Sequence, residues 1–236
     1  MRAAAAMLAT AVAACGSGGT RVAAPVAQLD PGNFTTNIDN PYWPMTPGTR
    51  WVYSEDGENG RKQRVTVTVT SRTKRVAAGI RGRVVHDVVT QGGKVIEDTY
   101  DWYAQDSKGN VWYLGEDTTE FESGGRRNHE GSWEAGVDGA RAGIMMLAHP
   151  RVGRRYRQEH YKGHAEDRAV VISLNGRGRV PWRSFSGALV TRDSNPLSPG
   201  PWEHKYYVKG VGPVLTVSRG GSREELVPFD RAPRGG

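Results

Sequence analysis

Cysteine is almost absent from this sequence: Cys15 is the only one in 236 residues. No disulfide can form within one chain, so stability must come from packing and from sheet hydrogen bonds. Long apolar runs are missing too. The longest, residues 3–14, is about twelve residues against the roughly twenty that a bilayer core demands. Long amphipathic helical patterns are lacking as well, which leaves strands as the building material. Acids are outnumbered, 25 against 32 Lys and Arg, giving a net charge of +7. That excess does not point to nucleic acid, because the basic residues are scattered among acids and no basic run interleaves with aromatics. Weak attraction to anionic lipid headgroups or acidic wall polymers would account for it. So would a plain soluble surface rich in arginine.

What is present begins with an address. Met1-Arg2 followed by the uncharged run to Ala14 has the layout of a secretory signal. Val12-Ala13-Ala14-Cys15 resembles the lipobox of bacterial lipoproteins, an aliphatic residue and two small ones before the cysteine that receives the lipid. The resemblance implies cleavage before Cys15, diacylglyceryl transfer to its thiol and acyl chains of the palmitate type. The mature chain would then sit on the outer, non-cytoplasmic face of a membrane in the cell envelope. Ordinary signal-peptidase cleavage near Ala14 is the alternative, but it would leave an exposed reactive thiol. Gly16-Ser17-Gly18-Gly19 suits a flexible tether.

Four segments follow from composition: a signal at 1–14, the lipidated cysteine and linker at 15–36, a β domain at 37–227 and a frayed tail at 228–236. Within the domain, Arg64-Val65-Thr66-Val67-Thr68-Val69-Thr70 alternates without error and predicts a half-buried strand. Gln91-Gly92-Gly93-Lys94 reads as a hairpin turn, and Asp106-Ser107-Lys108-Gly109-Asn110 as a second turn. Tyr42 and Trp43, between prolines, are expected to pin the chain to the edge of the core. Residues 136–151 break the pattern and read as one or two helical turns or an apolar loop. About ten to thirteen short strands with glycine-rich turns predict an all-β class. The expected form is a single antiparallel curved sheet, a half-barrel or barrel.

Three phrases occur in order: Pro47-Gly48-Thr49-Arg50-Trp51-Val52-Tyr53, then Tyr100-Asp101-Trp102-Tyr103 with Gly109-Asn110-Val111-Trp112-Tyr113, and finally Tyr206-Tyr207-Val208-Lys209-Gly210-Val211-Gly212-Pro213-Val214. Together they resemble a group of uncharacterised bacterial envelope lipoproteins with PGTxWxY and YYxxGVGxV phrases. More loosely, a lipid-tethered curved sheet is similar to lipoprotein-carrier folds, whose half-open barrel holds an acyl chain. The resemblance implies a class and an address, and fold alone does not fix function. It supplies no catalytic residue.

The candidate chemistry is sparse. His160 and His164 lie four apart, but Gly163 argues for a strand end and turn rather than a helical metal site. Glu97 and Asp101 share one strand face and Asp98 the other; paired carboxyls could serve glycoside hydrolysis, yet a solvated face accounts for them. The 106–110 turn lacks the spaced acids of a calcium loop. No Gly-x-Ser-x-Gly elbow and no phosphate-binding glycine motif occurs. No metal, cofactor or nucleic-acid partner is therefore expected, and no catalytic residue is assigned.

Aromatics are dense instead. Trp102, Tyr103, Trp112, Tyr113, Tyr206 and Tyr207 occur as adjacent pairs, and neighbours on a strand point to opposite faces. One face could line a groove for a lipid, glycan or peptide; a second packing layer is the other reading. The expectation is a lipid-anchored, non-enzymatic binding module for an apolar or amphipathic ligand. A structural lipoprotein meeting another protein comes next, and a hydrolase of envelope glycans after that. An enzyme would gather two or more of His86, Glu97, Asp101, Glu159, His160 and His204 in one cleft.

Overall fold

The computed structural model describes residues 29–57, 60–198 and 200–230. The signal segment, Cys15 and the end of the tail lie outside the described residues. Sixteen strands follow one another along the chain. They are β1 (Phe34–Thr35), β2 (Arg50–Asp56), β3 (Lys62–Arg75), β4 (Arg81–Gln91), β5 (Lys94–Asp106), β6 (Val111–Phe121), β7 (Arg127–Asn128) and β8 (Trp133–Glu134). After them come β9 (Arg141–Met146), β10 (Arg155–Arg157), β11 (Glu159–His160), β12 (Arg168–Arg179), β13 (Ser184–Ser194), β14 (Glu203–Val208), β15 (Gly212–Ser218) and β16 (Arg223–Asp230). All belong to one antiparallel sheet, nearly closed into a barrel, in the order β10-β12-β13-β14-β15-β16-β2-β3-β4-β5-β6-β9-β11, with β1 paired to β5 and β7 and β8 to β6 off this path. The expected fold class is thus the observed one.

Closure is a matter of one residue. β10 and β11 stand at opposite ends of the strand order, and Gln158 alone separates them in the chain. The backbone itself therefore carries the sheet across its own seam. Gln158 is buried there, its Nε2 donating to Asp193 Oδ2 at 3.1 Å. Gly143 on β9 makes the crossing possible: a Cβ at that position would come within 2.1 Å of the Gln158 carbonyl oxygen. A seam closed in this way removes most of the edge that an open sheet would expose.

Residues 136–151 are not helical. Their centre is strand β9, which pairs with β6 through Met146 opposite Val111 and Ile144 opposite Trp112. The sequence missed it because Gly143 breaks the alternation to admit the Gln158 backbone, and that backbone comes from a distant part of the chain.

Alternation decides which side chains face inward. Val65, Val67 and Val69 are buried on β3, opposite Val89, Asp87 and Val85 of β4. The threonines between them turn outward and are half-buried. One end of the barrel is stopped by the segment before β2. Asn40 ties it down, its Nδ2 donating to the carbonyls of Gly109 (2.9 Å) and Leu147 (3.2 Å), while Gly210 N donates to the Pro41 carbonyl at 2.7 Å. Trp43, 1% exposed, drops inward between Tyr103 and Tyr207, with ring centroids at 6.0 and 5.6 Å. The core therefore fills the end of the barrel where Trp43, Trp51, Ile38 and Met45 meet.

Candidate functional site

Beyond that apolar plug, the inward face changes character. Following the pleat along β5 from Tyr103 gives Asp101, Thr99 and Glu97, and the facing residues of β6 are Glu116, Thr118 and Glu120. Asp101 lies directly opposite Glu116, Thr99 opposite Thr118, and Glu97 opposite Glu120. Directly opposed side chains on neighbouring strands have Cβ atoms about 5 Å apart. The register thus sets one carboxyl against another twice, with a threonine pair between them bonded hydroxyl to hydroxyl at 2.6 Å. Asp87 of β4, opposite Thr99, adds a further acid to the same face.

Burial makes this arrangement unusual. Asp101 is 2% exposed, Glu116 8% and Glu159 2%. A buried carboxyl resists ionisation, and neighbouring negative charge resists it further. Burial above all, then the Asp87 and Glu97 carboxylates, pushes Asp101 up to about 7, even though the Tyr113 hydroxyl donates to its Oδ1 at 2.6 Å. Burial, then Asp101, Glu159 and Glu97, holds Glu116 well above the usual carboxyl range. Glu159 rises to about 8, again chiefly through burial and then through Asp167. Burial and mutual charge thus oppose ionisation of Asp101, Glu116 and Glu159 together.

Across the interior, strands β13 and β14 contribute Asp193 and Lys205. The Lys205 ammonium lies 3.4 Å from Asp193 Oδ2 and 3.6 Å from Glu203 Oε2. Burial works against its charge, but Asp193 and Glu203 keep it protonated well above the ordinary lysine value. Several buried polar atoms make no hydrogen bond to the protein: Glu159 Oε1, Asp193 Oδ1, Trp133 Nε1 and the Tyr156 hydroxyl. Trp133 belongs to this interior, since β8 pairs it with Glu116 and its ring meets Tyr113 edge-on at 5.3 Å. Buried polar groups are seldom left without partners.

The six aromatics divide by strand face. Tyr103, Tyr113 and Tyr207 point inward; Tyr103 stacks on Tyr113 at 4.9 Å, and Trp43 links that pair to Tyr207. Trp102, Trp112 and Tyr206 lie on the other face under local cover. The Lys74 ammonium sits 3.4 Å above the Trp102 ring, Phe34 meets Trp112 edge-on, and Phe185 meets Tyr206. Trp112 Nε1 donates to Asp106 Oδ2 at 2.8 Å. The structure thus joins three of the six and separates the other three.

Glu97, Asp101 and Glu159 share the interior, whereas a solvated surface is the expectation for Glu97 and Asp101 from sequence. That expectation is corrected: the curl of the sheet turns their face inward. The histidines stay apart from it. His86 pairs with Asp98 at 2.8 Å and stacks on Tyr100, and His204 packs beside Trp202. His160 alternates with the inward Glu159, and His164 stacks on Tyr161 in the turn after β11. Among the described residues no three His, Cys, Asp or Glu side chains converge to hold a metal ion. No helix among them is long and apolar enough to cross a membrane.

Sequence reasoning did not single out Glu116, Asp87, Asp193, Lys205 or Gln158 as site residues. A usable signal existed in the parity of Glu116, Thr118 and Glu120 along β6, which matches that of Glu97, Thr99 and Asp101 along β5. Comparison with protein-family models, with curated proteins and with solved structures found no match to this chain.

Proposed function

We propose that this protein is a lipid-anchored binding protein of the cell envelope. Its barrel interior takes a small amphipathic ligand that carries a positive charge. The address rests on the signal layout and on Val12-Ala13-Ala14-Cys15. The ligand class rests on the interior, and the observation that carries it is the Asp101–Glu116 pair on neighbouring strands, buried beside the Tyr103–Tyr113 stack. A buried carboxyl cluster is costly to keep without a counter-charge. An ammonium or guanidinium group would favour ionisation of the pair, and its N–H groups would donate hydrogen bonds to the carboxylate oxygens. The aromatic walls would hold the apolar part of the same molecule and attract its cation by their ring faces.

The reading is tested with three amphiphiles of one chain length, decyltrimethylammonium, decyl sulfate and decyl maltoside, each below its micelle concentration and followed by tryptophan fluorescence. The cation is expected to bind at least tenfold tighter than the other two. Equal binding of all three would contradict the ligand class.

A second reading draws on the same pair. Two carboxyls at directly opposed strand positions, both resisting ionisation through burial, are of the kind a retaining glycosidase pairs as acid and nucleophile. Turnover of envelope glycans, lost in Asp101→Asn, would favour that reading over binding alone.

A further inference from the structure

The two ends of the barrel differ in what they adjoin. The turns after β5, β9 and β14 gather at the end stopped by residues 38–45. They bring together Lys108, His149, Arg151, Arg154 and Lys209, all exposed. Two adjoining grooves of about 540 and 560 Å³ share Lys108, Ala148 and His149 as walls. None of the five basic side chains makes an ion pair with another described residue. Nearby acids are committed elsewhere. Asp39 accepts from Gln105, and Asp106 accepts from Asn110, Lys108 N and Trp112. Between Arg151 and Arg154 the loop presents Val152, 62% exposed, the most exposed of the large apolar side chains.

The amino-terminal segment arrives at this same end. β1 pairs with Gln105 and Asp106, the last two residues of β5, and Ser107 N donates to the Asn33 carbonyl at 2.8 Å. A linker from Cys15 would therefore deliver the domain to a membrane with this face first. Unpaired cations around an exposed apolar tip suit a surface of lipid phosphates over an apolar layer.

We propose that this end of the barrel seats on anionic phospholipid headgroups, with Lys108, Arg151, Arg154 and Lys209 on the phosphates and Val152 at the acyl boundary. The proposal rests on the anchored reading above for its biological setting, but the surface is testable without the lipid. Seated in this way, the domain turns the acid-lined end of its interior away from the membrane. A diacylglyceryl group would already supply the two acyl chains that stable anchoring requires; the basic face would set which end of the domain meets the headgroups.

The test uses the full chain with Cys15→Ser and sucrose-loaded vesicles of phosphatidylcholine, with or without 30 mol% phosphatidylglycerol (about a third anionic lipid, enough for a substantial surface potential). Affinity is read as the ratio between the two vesicles, so any contribution of residues 1–14 common to both cancels. The chain is expected to prefer the anionic vesicles at least tenfold. Lys108→Ser, Arg151→Ser, Arg154→Ser and Lys209→Ser together should abolish that preference, and Val152→Ser should weaken binding several-fold. Lys94→Ser, Arg127→Ser and Lys162→Ser, at the other end, should change nothing. Equal affinity for the two vesicles, or an equal loss in the Lys94, Arg127 and Lys162 variant, would overturn the proposal. The anchor is read separately, from the mass of the wild-type chain produced in a lipidating host. An unlipidated mass with a persistent vesicle preference would remove the anchor and leave the docking face standing.

Discussion

Asp101 and Glu116 oppose one another across β5 and β6, both buried, with the Tyr113 hydroxyl bonded to Asp101 at 2.6 Å. Two acids so placed cannot both ionise at low cost, and the pH dependence of stability follows. Burial raises the folded pKa of both, Asp101 from 3.8 to about 7 and Glu116 well above its usual range, and it raises the neighbouring Glu159 from 4.5 to about 8. Between about pH 4 and 8 the folded state therefore binds more protons than the unfolded state. Stability is greatest at the acid side of that window and falls as pH rises through it, by up to about 1.4 kcal/mol per pH unit for each such group. Thermal unfolding of the ligand-free protein at pH 5.5 and 8 should show the lower midpoint at pH 8.

Removing the charge should reverse this loss. Asp101→Asn with Glu116→Gln keeps the shapes and the hydrogen-bonding capacity while deleting two ionisations. The double variant is expected to be more stable than wild type at pH 8 by about 2 kcal/mol or more, and to flatten the slope. Chemical denaturation at the two pH values measures both. A variant less stable at pH 8 would mean that the two carboxyls serve the fold as ions.

The seam gives a structural prediction. At Gly143 an added methyl would lie 2.1 Å from the Gln158 carbonyl oxygen, backbone that cannot step aside without opening the sheet. Gly143→Ala should cost on the order of 3 kcal/mol, and amide exchange should rise first in β10 and β11. Unchanged exchange there would argue against closure through Gln158.

Trp43 tests the plug. Its ring contacts both Tyr103 and Tyr207 and is 1% exposed, so Trp43→Ala should destabilise by about 3–5 kcal/mol. Trp43→Phe should recover most of that, as measured by urea midpoints.

Cys15→Ser tests the address. The wild-type chain should fractionate with membranes in a lipidating host and carry a diacylglyceryl mass beginning at Cys15. The variant should lose that mass, with membrane association reduced to what the basic face provides.

Much of the fold was legible because alternation is a local property. The error-free Val and Thr repeat of residues 64–70 lies within β3, and the glycine pair at 92–93 separates β4 from β5. Closure was not legible: Gln158 and Gly143 meet through pairing between distant segments, and nothing local marks either. The acid interior was hidden for a different reason. Acids on one strand face normally mean solvent, so Glu97 and Asp101 read as surface until the sheet's curl set which side was inside. On β6 an extra residue, Leu114, between the partners of Trp102 and Tyr103 also breaks the alternation where the polar and aromatic zones join.

The most direct test of a cation-binding interior is titration calorimetry of decyltrimethylammonium at pH 7 in two buffers of different ionisation enthalpy. The ligand carries no titratable proton, so any buffer-dependent heat reports protons leaving the protein. The account predicts binding with release of about one proton as the Asp101–Glu116 cluster ionises, and loss of that release in the Asp101→Asn, Glu116→Gln variant. Binding without proton release, or binding that the double variant retains in full, would contradict it.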